Sequence, residues 1–150
     1  MKYRMATALL SLAGFFVALY LYFYKIGLIG TLACGTGGCE TVQTSPYSRF
    51  LGVEVALYGI IGYLTVFVLN LLALQRGPDE ERLPRLLVVL SGLGVGFTVY
   101  LTYLEFFVIH AICRWCVSSA MIISLIFVTT LLDWRRVAQP AMRGNTPPGR

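Results

Sequence analysis

Four long apolar runs, at residues 5–24, 55–74, 86–109 and 117–132, constrain the fold of this chain more than any other feature. A bilayer core about 30 Å thick needs about 20 residues of α-helix to cross it. The composition agrees, because 57% of the residues are hydrophobic and only 13% are charged, a balance that is not typical of soluble globular domains. The sequence therefore predicts an all-α membrane protein in which four transmembrane helices form a bundle.

The spans occupy most of the chain, so we expect one membrane domain over residues 1–135 and a disordered cytoplasmic tail over residues 136–150. The tail is rich in proline and glycine and has no apolar face that offsets the entropy of ordering. Any water-soluble partner is then expected to be a separate chain. A basic start before an apolar run is also typical of a cleaved signal peptide, but the first run exceeds the roughly 7 to 15 residues of a signal core.

The basic residues are distributed asymmetrically about the predicted spans, which indicates an orientation. Lysine and arginine concentrate on the cytoplasmic side of membrane proteins. We therefore expect both termini in the cytoplasm, and the loop over residues 25–54 and the corner over residues 110–114 in the periplasm or exterior. The net charge is +5, but the basic residues flank the spans rather than forming one stripe, which argues against a nucleic-acid partner. The crowded face carries Lys2, Arg4, Arg76, Arg82, Arg85, Arg135, Arg136, Arg143 and Arg150, against Lys25, Arg49 and Arg114 on the other.

All four cysteines lie in two close pairs beside the predicted outer face, so they face an oxidising compartment. One pair is a Cys-x-x-Cys motif, Cys113 and Cys116, where the last span begins. Unpaired N–H groups and the helix dipole favour a thiolate there, and Arg114 adds a positive charge. If the helix begins near Cys113, Cys116 lies one turn deeper, toward lipid. The motif alone also fits a structural disulfide or half of a zinc site.

The other pair, Cys34 and Cys39, encloses four residues of which three are glycines. Glycine gives the backbone wide conformational freedom, so this loop is better suited to thiol exchange than to rigid metal binding. A zinc site made by both cysteine pairs with His110 is the alternative. We expect no metal site, and we interpret His110 as an interfacial or helix-end residue.

The segment over residues 40–53 alternates polar residues with Val42, Tyr47, Phe50 and Leu51. This pattern predicts a short amphipathic helix that lies on the membrane surface and covers the mouth of the bundle. Pro46 should interrupt any long helix. An ordinary extracellular connector is the alternative.

Three segments together carry a resemblance to a known family: residues 34–39 (CGTGGC), 45–53 (SPYSRFLGV) and 113–119 (CRWCVSS). With these motifs, residues 5–132 resemble bacterial homologues of vitamin K epoxide reductase. The resemblance implies a four-helix bundle in the bacterial inner membrane that encloses a quinone and works with a periplasmic thioredoxin-like thiol oxidoreductase. It also implies that Cys113 and Cys116 are the active-site pair, that Cys34 and Cys39 are a loop shuttle pair, and that Cys116 faces the quinone.

The same resemblance suggests residues of the quinone pocket. Ser45 is a candidate hydrogen-bond donor to a quinone oxygen, although a loop serine that caps a turn is equally typical. Ala120 stands where the animal enzymes have tyrosine, and Glu54 stands where relatives often have proline. The missing tyrosine hydroxyl favours an ordinary membrane quinone, menaquinone or ubiquinone, over vitamin K epoxide.

Glu105 lies just before the outer end of a span, and an ionisable side chain at such a depth is a functional-site hypothesis by default. It is a candidate for the quinone pocket, where it would relay protons to the reduced quinone. Pairing with Arg114 and an interfacial, solvated position are the alternatives.

Together these features predict a thiol:quinone oxidoreductase that re-oxidises its thioredoxin-like partner and so supports disulfide-bond formation in exported proteins. A thiol-driven quinone or vitamin K epoxide reductase is the first alternative. For a two-electron couple, a difference of about 30 mV in reduction potential changes the equilibrium constant tenfold. Sequence does not fix reduction potentials to that accuracy, so it does not decide the direction of electron flow. A non-catalytic membrane scaffold with two structural disulfides is the second alternative.

Overall fold

The computed structural model describes residues 2–35, 38–76 and 82–143, with side chains as far as residue 139. The described helices are α1 (Lys2–Lys25), α2 (Gly38–Thr44), α3 (Val55–Arg76), α4 (Arg82–Leu104) and α5 (Arg114–Arg143). A short 3-10 turn (Pro46–Ser48) and a two-stranded hairpin, β1 (Arg49–Phe50) and β2 (Val53–Glu54), connect α2 to α3. A π-helical turn (Glu105–Ile109) extends α4.

Four helical segments are long and apolar enough to cross a membrane, namely Lys2–Lys25, Val55–Arg76, Arg82–Ile109 and Arg114–Gln139. Each contains one of the apolar runs, so the prediction of an all-α, four-span membrane protein is confirmed. Large apolar side chains such as Leu9 and Leu93 are exposed on the outer faces of the helices, where lipid is the solvent.

The spans form a closed ring around an apolar interior. Helix α1 packs against α3 and α5, and α4 completes the ring by packing against the same two helices. Small residues permit close packing, because a Cβ atom at Gly59 would lie 3.1 Å from the Cβ atom of Ala18. Gly14 similarly leaves the space that the ring of Tyr63 occupies. The central cluster consists of Ala18, Tyr63, Val66, Leu87, Ile123 and Ile126.

A buried polar layer joins three helices at the end that carries the chain's N-terminal residues. The Nε atom of Arg4 donates to Oδ2 of Asp133 at 2.9 Å, although Arg4 is only 7% exposed. The same guanidinium donates to the Ala73 carbonyl, and the Asn70 amide donates to the Arg4 carbonyl at 2.7 Å. Because buried charges need partners, this layer fixes α1, α3 and α5 relative to one another.

A second set of polar contacts links the spans through hydroxyl groups. The hydroxyls of Thr7 and Thr129 lie 2.9 Å apart and connect α1 to α5. Those of Ser91 and Thr130 lie 3.1 Å apart and connect α4 to α5. Thr7 is three residues from Arg4, and Thr129 and Thr130 are within four residues of Asp133. The polar contacts at this end of the bundle therefore involve all four spans.

At the opposite end, an ionic cluster holds the hairpin against α1. Glu54 accepts a hydrogen bond from Nε of Arg49 at 2.7 Å, and its other oxygen lies 3.0 Å from Nζ of Lys25. The Lys25 ammonium also donates to the Ser48 hydroxyl at 2.7 Å. Burial acts to raise the pKa of Glu54, but the Arg49 and Lys25 contacts outweigh it, so that this pKa lies below its usual value. An ionised glutamate thus stabilises the start of α3.

The connector between α2 and α3 is only partly helical. The predicted short amphipathic helix is α2, which buries Cys39, Val42 and Gln43. Beyond Pro46 the chain forms a turn and a hairpin, a difference from the helix expected on the membrane surface. The two central hairpin residues, Leu51 and Gly52, have φ of 51° and 81°, as a type I′ turn requires.

Helix α5 continues past the boundary that the sequence suggested for the bundle. Disorder was expected from residue 136 onward, whereas α5 remains helical through Arg143. Residues 144–150, the rest of the expected tail, lie outside the described residues.

The buried ion pair leads to a stability prediction. Replacing Arg4 with methionine leaves the partly buried Asp133 carboxylate without its partner, which should destabilise the protein by about 3 kcal/mol. The double variant Arg4→Met/Asp133→Leu should recover most of this loss. Reversible unfolding in mixed detergent micelles measures the effect, and Arg135→Met, at an exposed position of α5, is the matched control. Equal losses for Arg4→Met and the control would contradict the role of the pair.

Candidate active site

The structure brings both cysteine pairs together at one end of the bundle. Cys34 and Cys39 form a disulfide with Cα atoms 6.1 Å apart, whereas Cys113 and Cys116 are free thiols. Cys34 is 2% exposed, and Cys39 and Cys113 are 0% exposed. These three residues belong to one buried cluster, which also contains Leu21, Leu32, Val42 and Ala56. One pair is therefore oxidised and the other is reduced, and three of the four cysteines are shielded from water, whereas Cys116 is only partly buried.

A close backbone contact positions Cys39 near the start of α5. Gly38, the first residue of α2, packs against the chain just before Cys113, and a Cβ atom there would lie 2.5 Å from the Ile112 carbonyl oxygen. Any other residue would push α2 away from this corner. Gly38 therefore has a steric role besides the loop flexibility that the sequence suggested.

The reduced pair lies at the first turn of α5. The Val117 N–H donates to the Cys113 carbonyl at 3.0 Å, which starts the helix at the motif. The Cys116 thiol donates a hydrogen bond to the Cys113 sulfur. This bond, together with the backbone N–H groups of Cys116 and Trp115, lowers the pKa of Cys113 below its usual value, although burial and the nearby Glu105 charge oppose the shift. Cys113 is consequently the thiol with a stabilised thiolate, and Cys116 lies one turn further into the bundle.

Glu105 contacts both cysteines of the motif. It is 4% exposed, and its Oε2 atom accepts the backbone N–H of Cys113 at 3.2 Å. The carboxyl group also forms a hydrogen bond with the Cys116 thiol. The π-helical turn begins at Glu105 and ends at Ile109, and His110 follows it with φ of 55°. The Ala111 N–H donates to the Glu105 carbonyl at 3.2 Å. A carboxyl group is thus held beside the dithiol.

These contacts decide between the alternatives for Glu105. Its burial excludes the interfacial, solvated position. Arg114, the suggested ion-pair partner, has an exposed side chain, and no described ion pair joins these two residues. His110 is also exposed, at the end of the π-helical turn.

A cavity of about 270 Å³ lies inside the bundle next to Cys116. Apolar side chains from α1, α3, α4 and α5 form most of its wall, among them Leu21, Val66 and Phe97. Gln43, Glu105 and Cys116 contribute polar groups where α2 covers the bundle. Further in, the hydroxyls of Tyr63 and Ser119 lie 2.8 Å apart and satisfy each other. An apolar cavity with a few convergent polar groups is typical of a small-molecule site, and this volume accommodates a ring-sized group.

The suggested pocket residues differ in their relation to the cavity. Cys116 and Glu105 line it. Ser45 lines only a smaller neighbouring cavity of about 40 Å³, and its hydroxyl donates to the Val42 carbonyl at 2.7 Å, as a turn-capping serine does. Ala120 is not among the lining residues, whereas Ser119 and Ile123 beside it are.

Gln43 is a site residue that the sequence reasoning missed. It lines both cavities, it is 7% exposed, and its Nε2 atom lies 3.9 Å from the Cys116 sulfur. A polar residue four positions after Cys39 shares its helix face, and this spacing was the available signal.

Within residues 2–35, 38–76 and 82–143, no group of three or more histidine, cysteine, aspartate or glutamate side chains is arranged to hold a metal ion.

The profile of the Vitamin K epoxide reductase family matches residues 5–131 of the chain. The match covers α1 to α4, both cysteine pairs and the part of α5 that lines the cavity. Members of this family are membrane oxidoreductases that use thiols and quinones. The four spans, the paired cysteines and this match lead to one conclusion: the chain belongs to the vitamin K epoxide reductase family.

Proposed function

We propose that the protein is a membrane thiol:quinone oxidoreductase that re-oxidises a periplasmic thioredoxin-like protein and supports disulfide-bond formation in exported proteins. The observation that carries this proposal is the position of the Cys113 and Cys116 dithiol. It lies between a second, disulfide-bonded cysteine pair and an apolar cavity. Electrons from a water-soluble partner can thus reach a lipid-soluble acceptor through consecutive thiol exchanges.

The exchanges proceed through mixed disulfides. A thiolate of the reduced partner attacks Cys34 and releases Cys39, which then attacks Cys113 of the Cys113–Cys116 disulfide and releases the Cys116 thiolate. The second partner thiol attacks the disulfide between the partner and Cys34, so that the partner leaves as a disulfide and Cys34 is released as a thiolate. Cys34 then displaces Cys113 from Cys39. The products are a Cys34–Cys39 disulfide and a reduced Cys113/Cys116 pair.

Oxidation of the Cys113/Cys116 dithiol to a disulfide releases two electrons and two protons. Conversion of a quinone to a hydroquinone takes up the same number of each, so the reaction balances. Cys116 lines the cavity and is the sulfur next to the acceptor, while the lowered pKa of Cys113 supplies the thiolate that closes the disulfide. The cavity is large and apolar enough for the head group of menaquinone or ubiquinone.

Glu105 is placed to move a proton in this step. Its carboxyl group contacts the Cys116 thiol and also lines the cavity. It accepts the proton of Cys116 as that sulfur is oxidised and delivers it to the quinone oxygen. The hydrogen bond from the Cys113 N–H keeps the carboxyl group oriented between the Cys116 thiol and the quinone oxygen.

Access by the partner requires the loop that carries Cys34 to open, because Cys34 is only 2% exposed. Gly35 has φ of 68° and no atom within 4 Å of an added Cβ atom, so it lies in open space where the loop can rearrange. The loop thus alternates between an open state, in which Cys34 is accessible to the partner, and a closed state, in which Gly38 is docked against Ile112.

We further propose that the cysteine end of the bundle faces the periplasm of the bacterial inner membrane and that both termini are cytoplasmic. The charge asymmetry supports this orientation, because Lys2, Arg4, Arg76 and Arg82 lie at the helix ends opposite the cysteines.

Single-cysteine variants test the orientation. In a background without native cysteines, Leu51→Cys at the hairpin tip, where the native side chain is 84% exposed, should react in intact cells with a membrane-impermeant maleimide. Gln75→Cys, an exposed position at the opposite end of α3, should react only after lysis. The reverse labelling pattern would contradict the proposed orientation.

The proposed reaction is tested by anaerobic mixing of the purified protein with a reduced thioredoxin-like partner and ubiquinone or menaquinone. The wild-type protein should produce one partner disulfide for each quinol. Cys116→Ala should form no quinol, because without Cys116 no Cys113–Cys116 disulfide exists for Cys39 to attack. Ser118→Ala, on the exposed face of the same turn, is the control. Equal quinol formation by Cys116→Ala would refute its role, and absence of turnover in the wild type would favour a scaffold.

Glu105→Gln tests the proton transfer. The amide oxygen can still accept the Cys113 N–H, but the side chain no longer takes up a proton, so quinol formation should slow by about 10²- to 10⁴-fold. Thiol exchange with the partner should keep its rate. Stopped-flow quinol formation across a pH series gives both the rate and its pH profile. An unchanged rate with an unchanged profile would exclude the relay.

A further inference from the structure

We propose that Gln43 recognises a carbonyl oxygen of the quinone beside Cys116, and that it thereby determines which molecules the cavity accepts. This inference rests on the proposed function and adds a specificity-determining residue to it. It assigns the recognition of the oxygen to helix α2 rather than to the turn at Ser45.

The first observation is a buried amide with a poor partner. The Gln43 side chain carries two N–H donors, yet its recorded hydrogen bond is a long one, 3.9 Å, to the Cys116 sulfur. Thiol sulfur is a weak acceptor, and a buried amide without a good partner is costly. A quinone carbonyl oxygen in the cavity would supply the strong acceptor that this amide lacks.

The second observation is that the other polar groups near Cys116 already have partners. The Ser45 hydroxyl is bonded to the Val42 carbonyl, and the Tyr63 hydroxyl is bonded to Ser119. Glu105 accepts from the Cys113 backbone. Thr98 and Thr102 also line the cavity from α4 and are the competing donors, but no described contact joins either hydroxyl to the reacting sulfur.

The third observation is chemical. As the dithiol transfers two electrons, negative charge develops on the quinone oxygen nearest Cys116. A neutral N–H donor held at that oxygen stabilises the charge without transferring a proton. Gln43 thus donates a hydrogen bond beside Cys116, while Glu105 moves the proton. A site built to donate to an oxygen also rejects apolar molecules of the same shape.

The position of Gln43 on α2 adds a consequence. Cys39 lies one helical turn earlier on the same short helix, which Gly38 docks against Ile112. The docked helix therefore presents the exchanging cysteine to Cys113 and the amide to the cavity at the same time.

The test compares Gln43→Leu and Gln43→Met, which remove the donor at similar volume, with the wild type and with Thr102→Val. Binding of a short-chain ubiquinone is measured by equilibrium titration in detergent micelles, and KM and kcat are measured with a reduced thioredoxin-like partner. Both Gln43 variants should bind the quinone about tenfold more weakly and raise its KM by the same factor, as the loss of one hydrogen bond predicts. The KM for the partner should not change.

Each outcome of this test has a distinct meaning. Quinone affinity within twofold of the wild type in both Gln43 variants would overturn the inference, as would a larger loss in Thr102→Val. Gln43→Met replaces Gln43→Leu if the latter fails to fold. If the wild-type protein binds the quinone but does not reduce it, the proposed function alone is refuted. The titration of the Gln43 variants then still decides whether Gln43 recognises the quinone. No binding by the wild type would refute both.

Discussion

The absence of water in the bilayer core is the constraint on which the rest of this structure depends. Backbone groups there must be paired within the chain, so the four spans are continuous helices and irregular backbone is confined to their ends. Polar side chains inside the bundle must be paired for the same reason. Arg4 with Asp133 and Tyr63 with Ser119 satisfy each other and keep the helices in register. Glu105 instead contacts the reactive sulfur atoms.

The residues proposed to carry the redox chemistry lie where the regular helices end. The π-helical turn at Glu105, the left-handed residue His110 and the start of α5 bring a carboxyl group, two thiols and a cavity within a few residues of the bundle end. Helix α2 covers this end and carries Cys39 and Gln43. A thiol relay needs one end near water and the other near lipid, and the end of a membrane bundle is the place where both are close. The same packing explains why a glycine is needed at position 38.

Much of this arrangement could be predicted from sequence. The spans follow from apolar runs long enough to cross a bilayer, and the short helix α2 follows from its amphipathic pattern. The two cysteine pairs were identified by their spacing. The hairpin after Pro46 was missed, because Leu51 in a positive-φ position is not a usual turn signal. The helical extension of α5 to Arg143 was missed because proline and glycine predict disorder.

The sequence by itself determined the class of the protein, the number of spans and the two close cysteine pairs, because hydropathy and cysteine spacing are local properties of the chain. Only the tertiary structure decided which polar groups meet at the cavity. It turned the Ser45 hydroxyl toward its own backbone, kept Ala120 away from the cavity wall, buried Glu105 against both thiols and placed Gln43 beside Cys116. These relations depend on how α2, α4 and α5 pack, and contacts between residues distant in sequence leave no periodic pattern in the chain.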